Sequence, residues 1–429
     1  IIANTGLVTI DVTGRVKAGS SAGNHGVSIG EVGAGKSGVV GKNSGAIFGD
    51  PGIFIADNSA AGVTWDVNAD LTGMANGLDI TETGTGNVTV TVASPARIEG
   101  DDDNNGTGIG INLAVASGKL SVTTAAGSKV DGDNQVGIVA KATGAGAAGD
   151  QITIINDGSV GETTATDSTG VGALISGAGA GNINISGSGA IKSGATGPSI
   201  YAQSNSTGDT TINYNGAITT GLAAVLVTGI TGANSDVSVT LGANADITST
   251  GSGIDVTNAG AGTNALTILT DGKITSATGA VTAASSSASN TSLLKVTAND
   301  AIDAGTFGIQ ATQSGTGGAD VTTGANGDIS GKATGTGISA TALSGGVSVK
   351  ADGDISTSGD GVGGTGILAT LSVGSTGNVS VTGSGGIYSG NAGIDAENGG
   401  TGSITINRTG EIKTTSGAGV FALGKAAVT

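Results

Sequence analysis

The feature that most constrains this chain is a repeat of just under thirty residues. Gly308-Ile309-Gln310-Ala311, Gly337-Ile338-Ser339-Ala340, Gly366-Ile367-Leu368-Ala369, Gly393-Ile394-Asp395-Ala396 and Gly419-Val420-Phe421-Ala422 are one motif, spaced by 29, 29, 27 and 26 residues. A second motif alternates apolar and polar residues, as in Val347-Ser348-Val349, Val379-Ser380-Val381 and Ile404-Thr405-Ile406. Eight residues after its first member stands a lone isoleucine: Ile355, Ile387, Ile412. The same offset links Ile152 to Val160, Ile183 to Ile191, Leu266 to Ile274, Leu294 to Ile302 and Val321 to Ile329. Alternation with period two and β-branched residues predicts strands, and the intervening Gly/Ser/Asn/Asp clusters predict turns. No segment sustains a helical period.

Three short strands cannot bury an apolar face alone, so the units must stack. The expected fold is therefore all-β: a single right-handed parallel β-helix of about fifteen coils with three short strands per coil. Right-handedness follows from the bias of parallel β crossovers, and spacings of 25 to 32 residues do not suit a hexapeptide-based left-handed helix. Units are expected to start at Leu7, about Val39, Trp65, Val88, Leu120, Ile152, Ile183, Ile212, Val237, Leu266, Leu294, Val321, Val347, Val379 and Ile404. Residues 1–429 are read as one continuous β-helix, with irregular coils over 1–87 and regular repeats over 88–429.

Composition agrees with a narrow interior. Of 429 residues 84 are glycine, while the aromatics number four Phe, three Tyr and one Trp. Glycine and asparagine are expected to supply positive-φ corners, as at Gly86-Asn87, Gly181-Asn182 and Gly377-Asn378. Without cysteine no disulfide scaffold is possible. A net charge of -17 argues against nucleic acid or an anionic membrane as partner. It also keeps the sides of such rods apart, so salt or divalent cations should favour bundling.

Residues 353–422 (GDISTSGDGVGGTGILAT…GNVSVTGSGGIYSGNAGIDAENGGTGSITINRTGEIKTTSGAGVFA) resemble the passenger-domain repeats of bacterial autotransporters, and the resemblance extends over nearly all of the chain from Val88 onward. It implies a right-handed β-helix displayed on, or released from, the outer surface of a Gram-negative cell. Activity is not implied, since adhesins, enzymes and toxins share the scaffold. Nothing resembles the strands of a membrane barrel, and Ile1-Ile2-Ala3-Asn4 does not resemble a signal peptide. A processed or excised passenger is the expectation, and the lack of cysteine suits export through an oxidising periplasm.

Several local patterns point to chemistry. Glu99, Asp101, Asp102 and Asp103 follow Ile98, while Asp131 and Asp133 follow Val130. Stacking by repeat puts Glu99 over Asp131 and Asp101 over Asp133. Residues 101–106 also match the first half of a calcium loop, although position twelve is Asn112. Glu99, Asp101, Asp103, Asn105, Asp131 and Asp133 are therefore candidate calcium ligands, against a solvated acidic corner balanced by Arg97 and Lys129. No cofactor is required. Residues 30–37 (GEVGAGKS) spell a phosphate-loop pattern without a helix start after it, and read better as a glycine-rich turn. Gly19-Ser20-Ser21-Ala22-Gly23 with nearby His25 spells a nucleophile elbow that lacks its helix. Polysaccharide-cleaving β-helices need clustered acids with aromatic platforms, and Tyr201, Tyr214 and Tyr388 do not share one stacked position. The outward hydroxyls Thr89, Ser121, Thr153, Ser238, Thr267, Ser348, Ser380 and Thr405, one per coil, form a ladder broken at Asn184 and Lys295.

The function expected is that of a non-enzymatic extracellular or cell-surface β-helix, structural or adhesive. The alternatives are a β-helical carbohydrate-active enzyme or an ice binder. Partners are a host or neighbouring-cell receptor or glycan, read by corner loops such as 101–108 and 357–365. Exposed ends also predict head-to-tail self-association into filaments.

Overall fold

The computed structural model describes residues 7–19, 23–32, 38–100, 108–132, 136–144, 146, 148–161, 169–331, 335–356, 364–425 and 428. Every regular element among them is a β-strand. The architecture is the right-handed parallel β-helix expected from the repeat, with each coil giving one strand to each of three parallel sheets. The chain divides into two compact units, Ile1–Leu222 and Ala223–Thr429.

In the first unit, one inward column of the first sheet runs Val8, Val39, Val63, Val88, Leu120, Ile152, Ile183, Thr210. In the second unit the same column runs Val237, Leu266, Leu294, Ala319, Val347, Val379, Ile404. The second sheet of that unit stacks Ile247, Ile274, Ile302, Ile329, Ile355, Ile387 and Ile412. The third stacks the isoleucines of the Gly-Ile-x-Ala motif: Ile309, Ile338, Ile367 and Ile394, then Val420. Like thus sits on like, and alternate residues of a strand such as Val88–Val92 are buried and open to solvent.

Four unit starts differ from the sequence reading. Pairing begins at Val8 rather than Leu7. Trp65 pairs with Gly41 and Val90, Ile212 with Ile185, and Val321 with Val296, so those three coils start two residues earlier, at Val63, Thr210 and Ala319. A slip of two keeps every side chain on its own face, which is why alternation alone could not detect it. The eight-residue offset holds at most first corners, for example from Val63 to Leu71. In four coils among the described residues it is ten: Val88 to Ile98, Leu120 to Val130, Val237 to Ile247, and Ala319 to Ile329. There the two extra residues form a tight turn. Its backbone bonds are Ala96 N to Ala93 O, Ser128 N to Ala125 O, Ala245 N to Gly242 O and Gly327 N to Gly324 O, at 2.9 to 3.0 Å.

The glycine of the Gly-Ile-x-Ala motif is required by close approach. A Cβ on Gly308 would stand 2.5 Å from Ile329 Cγ2 and 2.6 Å from the Gly337 carbonyl oxygen. Gly26 and Gly77 meet Ile47 and Ile98 in the same way. Glycine also makes room for the few large interior side chains. Trp65, fully buried, lies against Gly41 of the preceding coil. Gly187 separates Asn156 from Tyr214 in one column, and the Tyr214 hydroxyl reaches past it to accept from Asn156 Nδ2 (2.7 Å) and donate to the Gly189 carbonyl (2.5 Å). Burial pushes the Tyr214 phenol up, so it stays a neutral donor. Gly383 does the same for Arg408, whose guanidinium donates to the Ala351, Thr382 and Gly385 carbonyls.

Candidate functional site: a ring and carboxamide row on the third sheet

Of the candidate calcium ligands, the structure places Glu99 in register with Asp131, and Arg97 with Lys129. Arg97 bridges to Glu99 at 2.9 Å, so this pair of carboxylates carries its own cation. Asp101, Asp103, Asn105 and Asp133 lie outside the described residues. Among the described residues no group of three or more His, Cys, Asp or Glu is arranged around a metal position. Most of the phosphate-loop pattern (33–37), the centre of the elbow pattern (20–22) and most of both named loops (101–107 and 357–363) also lie outside them.

Other corner acids have a structural task. Asp70, Asp157, Asp236, Asp246, Asp328 and Asp352 each accept the backbone N–H of a residue one coil further on, at 2.8 to 3.2 Å. Asn87, Asn182 and Asn378 do likewise for Lys119, Asp209 and Ser403. These asparagines and the glycines before them do not have positive φ, contrary to the sequence expectation; among described non-glycine residues only Asn234 does. At Gly86 the requirement is closeness instead, since an added Cβ would collide with the Gly62 backbone.

The hydroxyl ladder pairs as expected from Thr89 through Ser121 to Thr153, and is broken at Asn184, at Lys295 and also at Asp320. A second outward column adds Thr91 and Thr123, so several coils offer two hydroxyls, not one. The three tyrosines fall apart: Tyr201 points outward on the third sheet, Tyr214 inward on the first, and Tyr388 outward on the second.

The third sheet of the first unit carries what the sequence did not reveal. Phe54, Asp79 and Asn112 are successive members of one outward column. The His25 ring stacks on Phe54 with centroids 5.0 Å apart and planes 18° from parallel. Its Nδ1 is buried and makes no hydrogen bond. Asp79 accepts from Asn76 Nδ2 at 2.9 Å and from Asn112 Nδ2 at 3.1 Å. Burial raises the Asp79 carboxyl above its ordinary value, opposed by those two bonds and by the His25 and Lys141 charges. The result is a fixed carboxylate-amide row beside a pair of flat rings. In the second unit a single ring stands beside an amide and hydroxyls, where Phe307, Thr306, Gln310, Thr336 and Ser339 line a shallow groove of about 250 Å³. His25, Phe54, Asp79 and Asn112 are 25 to 87 positions apart in sequence, and only the register assembles them; the signal available beforehand was the outward place of Phe54 in an alternating strand.

The fold and this face define a class, a parallel β-helix with outward ring and carboxamide positions. No protein-family model, no curated protein and no solved structure matches the chain.

Proposed function

We propose that this chain is a non-enzymatic β-helix of the autotransporter-passenger type. In this reading it stands outside a Gram-negative cell, where it serves as a structural and adhesive element that recognises glycans. The observation that carries the reading is the row His25, Phe54, Asp79, Asn112 on the outside of a stacked interior. A sugar ring offers a C–H face to an aromatic ring and a fan of hydroxyls to carboxylate and amide groups. Asp79 and its amides are held by one another, so little ordering accompanies binding. The groove at Phe307 offers a second aromatic ring beside an amide and hydroxyls, as suits weak contacts acting together.

A glycan-cleaving enzyme is the competing reading, and Asp79 would be its acid. Cleavage needs a second carboxyl group across the scissile bond. The outward neighbours of Asp79 in its column are Phe54 and Asn112, which favours binding over hydrolysis. Two measurements decide. Protease shaving of intact producing cells should remove the protein. Glycan-array binding by the purified chain should fall about tenfold in Phe54→Ala or Asp79→Asn, the loss of roughly one good polar or stacking contact. Protection from protease, or a wild-type chain that binds no glycan, sinks the proposal. Release of reducing sugar would give the enzyme reading the site instead.

A further inference from the structure

At the corner after the third-sheet strands Ile53–Asp57 and Asn76–Glu82, two acids close successive coils. Asp57 and Glu82 pair in register, and each is 1% exposed. The groups around them are donors. Ser59 Oγ donates to Asp57 Oδ2 at 2.7 Å, the Asn58 N–H to Asp57 Oδ1 at 3.0 Å, and the Gly84 N–H to Glu82 Oε1 at 2.5 Å. The second Glu82 oxygen, Oε2, is buried and takes no further partner. The next residue of the column is Val115, and the first-sheet strands beyond the corner begin with Val63 and Val88. Among the described residues neither carboxyl has a lysine or arginine partner.

Two carboxylates cannot both stay ionised in contact and out of water without a cation. A ring of N–H and O–H donors suits a carboxylate and repels a metal ion, whereas one proton placed between the two acids joins them by a strong hydrogen bond. We propose that Asp57 and Glu82 share a single proton that clamps consecutive coils, which makes this part of the first unit stable in acid and weaker in alkali. Burial, and then the hydrogen bond with Asp57, push Glu82 up to about 8 from 4.5. A raised carboxyl favours the folded state fully below the unfolded value and loses that contribution as pH rises through the folded one. The window is therefore about pH 4.5 to 8.

The test is the urea midpoint of the full chain from pH 5 to 9, set against Glu82→Gln, which keeps a donor to Asp57 and cannot ionise. Other acids titrate equally in both proteins. The ratio of wild-type to variant unfolding constants should rise by up to about tenfold per pH unit inside the window and level off above it. Asp57→Asn, which removes the shared proton but leaves Glu82 buried, should weaken the dependence without abolishing it. Should Glu82→Gln fail to fold, the infrared band of a protonated carboxyl in Glu-labelled wild-type chain at pH 7, absent at pH 9.5, reads the proton directly. A ratio independent of pH, or no such band at pH 7, overturns the proposal. So does calcium raising the wild-type midpoint at pH 9 but not that of Glu82→Gln, because the pair would then hold a cation.

Discussion

At the scale of single residues, glycine at the head of the Gly-Ile-x-Ala motif is a matter of space at Gly308, Gly366 and Gly393. Its missing Cβ is filled by the isoleucine of the second sheet, as Ile329 fills the place beside Gly308. Gly308→Ala should therefore cost about 1–3 kcal/mol through overpacking. Gly331→Ala, whose new Cβ meets nothing nearer than the Ala304 oxygen at 3.6 Å, should change stability by less than about 0.5 kcal/mol. Chemical denaturation of the two variants checks the pair, and equal losses would refute the steric account. The motif glycines were visible in the sequence as a pattern. Their reason was not, because Ile329 is 21 residues from Gly308 and only the coil brings them together. The same holds for Gly187, whose role is to let Tyr214 reach Asn156 across two coils.

At the scale of the element, a coil is fixed to the next by more than its ladder. Corner carboxylates and amides cap backbone N–H groups that the ladder leaves over, which gives many of the acids behind the net charge of -17 a structural use. Asp157 shows the device most fully: its Oδ1 accepts from Ser188 N at 3.0 Å and Ser188 Oγ at 2.7 Å. Asp157→Ala should lose about 1 kcal/mol, and Asp157→Asn, which keeps an acceptor oxygen, should recover most of it. Thermal unfolding of both measures this; an equal loss in both would assign the effect to charge. The strands and their faces were legible in the alternation of apolar residues. The exact start of a coil was not, since Trp65, Ile212 and Val321 face inward whether they are first or third in their strands. The ten-residue corners escaped for a related reason, because a Ser-Pro or Ala-Gly pair in a turn-rich chain does not announce a two-residue insertion.

At the scale of the whole molecule, the inward positions of the outermost coils are partly open. Ile10, Val12 and Val16 in the first coil, and Ile406 and Ile412 in the last, are half-exposed, and Val420 is 47% exposed. Their counterparts in inner coils, such as Val90 and Ile387, are 0% exposed. What the amino-acid sequence determined alone was the class of fold: period-two alternation and a near-thirty-residue repeat leave few other ways to bury valine and isoleucine. What tertiary structure decided was which distant residues become neighbours. Phe54 beside Asp79, and Asp57 upon Glu82, depend on the length of each corner between them, and a side chain's local pattern records its face but never its partner one coil away.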